Sequence, residues 1–148
     1  MSDYLLNSTA DPAVDALVNL QPGKIDKFKP VNASLTTTGT ATVWTPTGGT
    51  KFVVYGWDIQ ILVATTLAAA ANGVAFCLYD ASVSDSNIIG SLEVLRSDAS
   101  SGQMFRSQLV RDFGHPSSTA DQALIVSPAI TINGGRVRIT GVVWGTEV

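Results

Sequence analysis

The sequence is poor in the residues that carry most protein chemistry: one cysteine, one histidine, and charged residues at only 14% of 148 positions. A lone Cys77 excludes a disulfide within the chain, which suits folding in a reducing compartment. It sits in "VAFCLYD", where a free thiol behaves as a small hydrophobe. No neighbouring cation or helix terminus in the sequence lowers its pKa toward a nucleophile. One His and one Cys cannot complete a zinc tetrahedron. His115 falls in "FGHPSS", which reads as a loop. A Ser-His-Asp assembly can be drawn with Asp112 or Asp121, but the chain has no G-x-S-x-G elbow to present the serine. "PTGGT" lacks the lysine and the following helix of a phosphate-binding loop. These absences leave no catalytic residue and no cofactor to assign, and the expectation is a protein that is not an enzyme.

Positive charge is equally sparse. Nine lysines and arginines are scattered along a chain of net charge −3, whereas duplex binding needs clustered cations to displace counterions. Arg136 and Arg138 fall on one face of a strand, where they solvate an outer sheet surface. No nucleic-acid partner is expected. No apolar run approaches the ~18 residues of a membrane span, and "MSDYLLNSTADPAVD" has no basic region of a secretory signal. "DASVSDSN" offers Asp80, Asp85 and Asn87 to a hard cation but lacks the glycine and terminal glutamate of an EF-hand. Asp and Ser in such loops bond to their own backbone, so no metal is assigned.

What the sequence does have is strand vocabulary. Thr, Val, Ile, Gly and Ser dominate from Leu35 onward. In "KFVVYGWDIQILV", alternation puts Val53, Tyr55, Trp57, Ile59, Ile61 and Val63 on one apolar face, making this a central core strand. Other strands are read in "LTTTGTATVW", "VAFCLYD", "NIIGSLEVL", "QMFRSQLVRDF", "QALIVS", "AITI" and "RVRITGVVWGTE". "TTLAAAANG" reads as a loop with a helical turn, because its alanine run is short and ends in Asn72-Gly73. Seven to nine short antiparallel strands with irregular spacing imply one all-β domain over residues 35–148, a β-sandwich or jelly roll. In the last strand Val137, Ile139 and Val143 point inward, with Gly141 and Gly145 relieving crowding there, while Trp144 takes the outer face.

Residues 1–34 read as an N-terminal arm. "DPAVDALVNL" has the marks of a short helix, with Asp11 as N-cap, Pro12 at the first helical position and Val14, Leu17 and Val18 as an apolar stripe. So short an element must bury that stripe, either on its own domain or on a neighbouring subunit. "QPGKIDKFKP" follows, with three lysines in six positions, and reads as an extended surface segment carrying Ile25 and Phe28. Trp57 shares the apolar face and belongs to the core. Trp44 and Trp144 alternate with Thr42 and Thr146 on faces that look less buried, which makes them candidates for a subunit interface or a ligand groove such as a sugar platform.

The pattern "TATVWTPTGGTKFVVYGWDIQI", with "TADQALIVS" and the closing "GGRVRITGVVWGTE", resembles small β-sandwich structural proteins of tailed bacteriophages over roughly residues 36–148. The matching residues are Trp44, Thr45, Pro46, Gly48, Tyr55, Gly56, Trp144, Gly145, Thr146 and Glu147. The resemblance implies a head decoration (cement) or other virion surface protein, often trimeric, made in the bacterial cytoplasm and bound to the major capsid protein. Oligomer or capsid contacts are then expected at Val14, Leu17, Val18, Ile25, Phe28, Trp44 and Trp144. A carbohydrate- or receptor-binding module of a tail or fibre is the alternative.

Overall fold

A computed structural model describes residues 25–36, 39–67, 74–95, 100–129 and 134–148, with backbone alone at 93–95 and 112. The helix read over residues 11–20, with Val14, Leu17 and Val18, lies outside the described residues, as do the alanine run and most of "AITI". The described residues form eight strands in order: β1 Lys27–Thr36, β2 Ala41–Trp44, β3 Phe52–Thr65, β4 Val74–Asp80, β5 Ile88–Leu95, β6 Met104–Pro116, β7 Leu124–Pro128 and β8 Arg136–Glu147. A 3-10 turn at Asp85–Asn87 precedes β5. Among the described residues no helix is long and apolar enough to cross a membrane.

The strands form two four-stranded antiparallel sheets, ordered β1-β8-β3-β6 and β2-β7-β4-β5. β1 pairs with β8, β2 with β7, β3 with β6 and β4 with β5, so the chain is a long hairpin folded at the β4–β5 connection and rolled up. Pairing of β3 with β8 and of β4 with β7 closes the roll. This is the jelly-roll order, and the β-sandwich expectation holds. Both sheets bury their inner faces against each other. Val31, Leu35, Trp57, Ile59, Ile61, Val137, Ile139 and Val143 from the first sheet meet Trp44, Val74, Phe76, Leu78, Leu124 and Val126 from the second. Cys77 is buried too, and burial pushes its thiol pKa up.

Two strand readings change. The lysine-rich segment is extended, but it enters the sheet: β1 begins at Lys27, ahead of the boundary at 35 that composition suggests. Pro30 is tolerated because β1 is an edge strand, where a missing N–H costs no pairing. Lys27 and Lys29 lie on the inner side of that edge, an arrangement that blunts edge-to-edge pairing. In β3 the expected single apolar face breaks at Tyr55. Val54 pairs with Gly145 and Gly56 with Trp144, leaving Tyr55 as an extra residue that bulges the strand. Phe52 and Val54 therefore face inward before the bulge, and Trp57, Ile59, Ile61 and Val63 after it. On the other side of β3, Val54 pairs with His115 and Gly56 with Val110, so residues 111–114 of β6 stand opposite Tyr55 alone.

Candidate functional site

Each tryptophan is seated on a glycine of another strand. A Cβ on Gly56 would lie 2.5 Å from Trp144 Cζ2, and one on Gly145 would lie 3.0 Å from Trp44 Cζ3. A Cβ on Gly90 would collide with the Trp57 ring. Glycine is required at these places: a side chain at Gly90 would meet the Trp57 ring, and one at Gly56 or Gly145 would meet a backbone carbonyl of a paired strand as well as the ring. Trp57 spans the sandwich from β3 to Gly90 of β5, its Nε1–H donating to Ser107 Oγ at 3.1 Å. Arg111 lies over the Trp57 ring at 5.9 Å and donates from Nη2 to the Ile89 carbonyl at 2.7 Å, tying β6 to the edge of the opposite sheet.

Trp44 is not on a contact surface. It is 1% exposed, packed against Phe52 at 5.9 Å between ring centroids, with Lys29 Nζ 5.4 Å above its ring. The expectation failed because β2 also shifts register: Thr42 pairs with Ile125 and Trp44 with Leu124, so Val43 is an extra residue that turns Trp44 to the inner face. Its Nε1–H donates to Glu147 Oε1 at 2.9 Å, while Thr47 donates from its hydroxyl at 2.7 Å and its backbone N–H at 3.3 Å to Oε2. The Thr47 hydroxyl, then the Trp44 indole, hold the Glu147 carboxyl below its ordinary pKa.

Trp144 does face outward, half-buried, as alternation indicates. Phe28 of β1 pairs with Trp144, Trp144 with Gly56 and Gly56 with Val110, so one apolar row crosses all four strands of the outer face. In the next row Pro30, Val142, Asp58 and Gln108 stand in register. Ile25, Phe28, Val142, Trp144, Asp58 and Gln108 line an open groove of about 570 Å³. The Asp58 carboxylate accepts two bonds from Arg106, at 2.6 and 2.8 Å, which keep its pKa low, and a weaker 3.4 Å bond from Gln108. Of the expected contact residues, Ile25, Phe28 and Trp144 are thus brought together.

Large apolar side chains that alternation alone did not reveal stand exposed along the edge strand β6, with Arg106 and Gln108 between Met104 and Val110 on the same face. Met104, Val110 and Phe113 are 60%, 73% and 79% exposed. Phe113 belongs to the excursion opposite Tyr55, and the "VRDFGHP" sequence gives no periodic signal of it.

Several residues considered for catalysis and metal binding have other partners, and the Asp112 side chain lies outside the described residues. His115 lies in β6, not in a loop, because β6 resumes pairing with Val54 after the excursion. Its pKa is lowered by partial burial and by Arg111, against the opposing effect of Asp80. Asp121 accepts the Gly49 N–H at 2.6 Å, and Ser117 Oγ donates to the Thr119 carbonyl at 2.9 Å. Asp80 is buried and accepts the Ser118 N–H through Oδ2 at 2.6 Å, with Oδ1 lacking a hydrogen-bond partner. Asp85 is exposed, and Asn87 donates to Ser82 Oγ at 2.9 Å. Among the described residues no group of three or more His, Cys, Asp or Glu side chains is gathered in a way that could hold a metal ion. Arg136 and Arg138 are both exposed, as their alternation indicates.

Comparison with models of known protein families and with curated proteins finds no match for this sequence.

Proposed function

We propose that this protein is a non-enzymatic structural component of a tailed-phage virion: a decoration protein that binds the outer head surface as a homo-oligomer, in contact with the major capsid protein. The observation that carries this reading is the apolar surface of β6. Met104, Val110 and Phe113 leave large hydrophobic area in water on a strand whose far edge has no sheet neighbour among the described residues. Such an edge gains both backbone pairing and apolar burial from a neighbouring chain. The sequence resemblance supplies the virion setting, and with it the expectation of a trimer made in the bacterial cytoplasm. The jelly roll itself hosts many unrelated functions and favours none of them.

The test is the mass of the native assembly together with co-sedimentation on undecorated heads. Val110→Lys and Phe113→Ser should each reduce self-association or head binding while leaving the unfolding temperature unchanged. Full binding by both variants would remove the basis of the proposal.

One observation favours a second reading, a carbohydrate-binding module of a tail or fibre. Trp144 lines a groove beside the polar ends of Gln108 and Asp58, the combination of ring and hydrogen-bonding groups that sugars use. Glycans that change tryptophan emission in the native chain, and fail to do so in Trp144→Phe, would support it.

A further inference from the structure

We infer that the groove on the outer face of the β1-β8-β3-β6 sheet is the seat of residues 11–20 of the same chain, which cover Trp144 and Phe28. Three observations lead there. First, the groove is open and largely apolar, and its one carboxylate, on Asp58, is already engaged by both Arg106 donors. It therefore offers buried area to an apolar partner. Phe28 is 65% exposed, a poor end state for a ring beside a second aromatic side chain.

Second, the described chain begins inside this groove. Ile25 is one of its lining residues, and Asp26 N–H already bonds to the Gly145 carbonyl as β1 starts along β8. The preceding segment is therefore delivered to the groove by its own tether, at high effective concentration and without the entropy cost of bringing two chains together.

Third, the sequence between the two points carries the means of reversal. "QPGK", residues 21–24, places Pro and Gly at the central positions of a turn, where Pro presets φ and Gly accepts a positive one. A turn there, ahead of the extended run from Ile25, would return residues 11–20 toward Ile25. Those ten residues hold Val14, Leu17 and Val18, an apolar stripe that a short element cannot leave in water. Stripe and groove are each incomplete alone, and the tether joins them. This inference does not depend on a virion role, and its test reads the isolated protein.

The experiment uses the full chain carrying Leu17→Cys with Val142→Cys, and separately Val14→Cys with Val142→Cys; the native Cys77 is buried and does not compete. Under mild oxidation at low protein concentration, at least one pair should form a link within single chains, read by mass and by faster migration without reductant. Links formed only between chains would assign the groove to the arm of a second copy and overturn the inference. No link in either pair would also overturn it. As a check without cysteines, Leu17→Asp/Val18→Asp should raise acrylamide quenching of tryptophan emission, and Trp144→Phe should abolish the difference. Equal quenching in the wild-type and Asp variants would count against the groove as the seat.

Discussion

Glu147 and Trp44 stand 103 positions apart in sequence, on different sheets, and are joined by a 2.9 Å hydrogen bond from the indole N–H to the carboxylate. With Thr47 as the second donor, this contact pins the turn after β2 to the end of β8 and closes one rim of the sandwich. Glu147→Ala should cost about 1–3 kcal/mol, the range for removing a charged acceptor from a buried donor. Urea unfolding monitored by tryptophan emission measures it, and an unchanged midpoint would show the contact to be dispensable.

The same carboxylate fixes a direction with pH. Its pKa in the folded state lies below the ordinary 4.5, so the unfolded state binds its proton more readily. The stabilisation is full above the unfolded value and is lost as pH falls through the folded one. Glu147→Gln should accordingly flatten the acid limb of the curve of unfolding temperature against pH. A variant curve parallel to the wild type would contradict this.

His115 acts in the same sense from a different cause. Partial burial and Arg111 favour the neutral imidazole, so it should titrate below 6.5 in the folded protein. Since the unfolded chain takes up that proton first, stability falls as pH drops below the unfolded value. An NMR titration of the single histidine reads this directly, and a midpoint at or above 6.5 would refute it.

The glycine seats should rank by what stands in the way. At Gly145 a new Cβ meets the Val53 carbonyl, and at Gly56 the Leu109 carbonyl, both backbone atoms of paired strands. At Gly90 it meets only the Trp57 ring. Substitution by Ala should destabilise at all three, by about 1–3 kcal/mol as for other overpacked sites, and least at Gly90. Thermal unfolding of the three variants tests the order; a Gly145→Ala protein as stable as wild type would contradict the seating.

Arg111 and Arg106 make a contrast within one strand. Arg111→Met removes a bond to the Ile89 carbonyl and a cation over Trp57, and should lower the unfolding temperature by an amount little affected by salt. Arg106→Met breaks an exposed ion pair with Asp58, and its smaller effect should fade as salt is raised. The reverse pattern in denaturation at low and high salt would show that Arg111 does not clamp the sheets.

Alternation made most of this fold legible. The inward set Val137, Ile139 and Val143 and the outward Trp144 follow from period two, because β8 is unbroken in register with β1. The same rule misplaced Val53, Tyr55 and Trp44, because one extra residue in β3 and another in β2 put the side chains on its two sides out of phase, and no local composition marks such an insertion. The groove was half legible. Phe28 and Trp144 are each candidate contact residues in the sequence, but their adjacency depends on strand pairing across the whole chain. Asp58, Gln108, Glu147 and the exposed part of β6 were missed for that reason. The glycines beside aromatic residues in "VYGWD" and "VVWGTE" hinted at close packing, yet which ring sits on which glycine is decided by register alone.

Nested pairing also sets the order of assembly. β8 lies between β1 and β3, so the first sheet has a gap at its centre until the last strand is in place. β1 precedes β8 by nearly the whole described chain and β3 by about half of it, and loop-closure entropy must be overcome before those contacts repay it. While the chain is being synthesised, β1 and β3 wait with their edges unpaired, the state most prone to wrong partners. Folding is therefore completed only after residues 136–147 have emerged, and the chain is vulnerable until then.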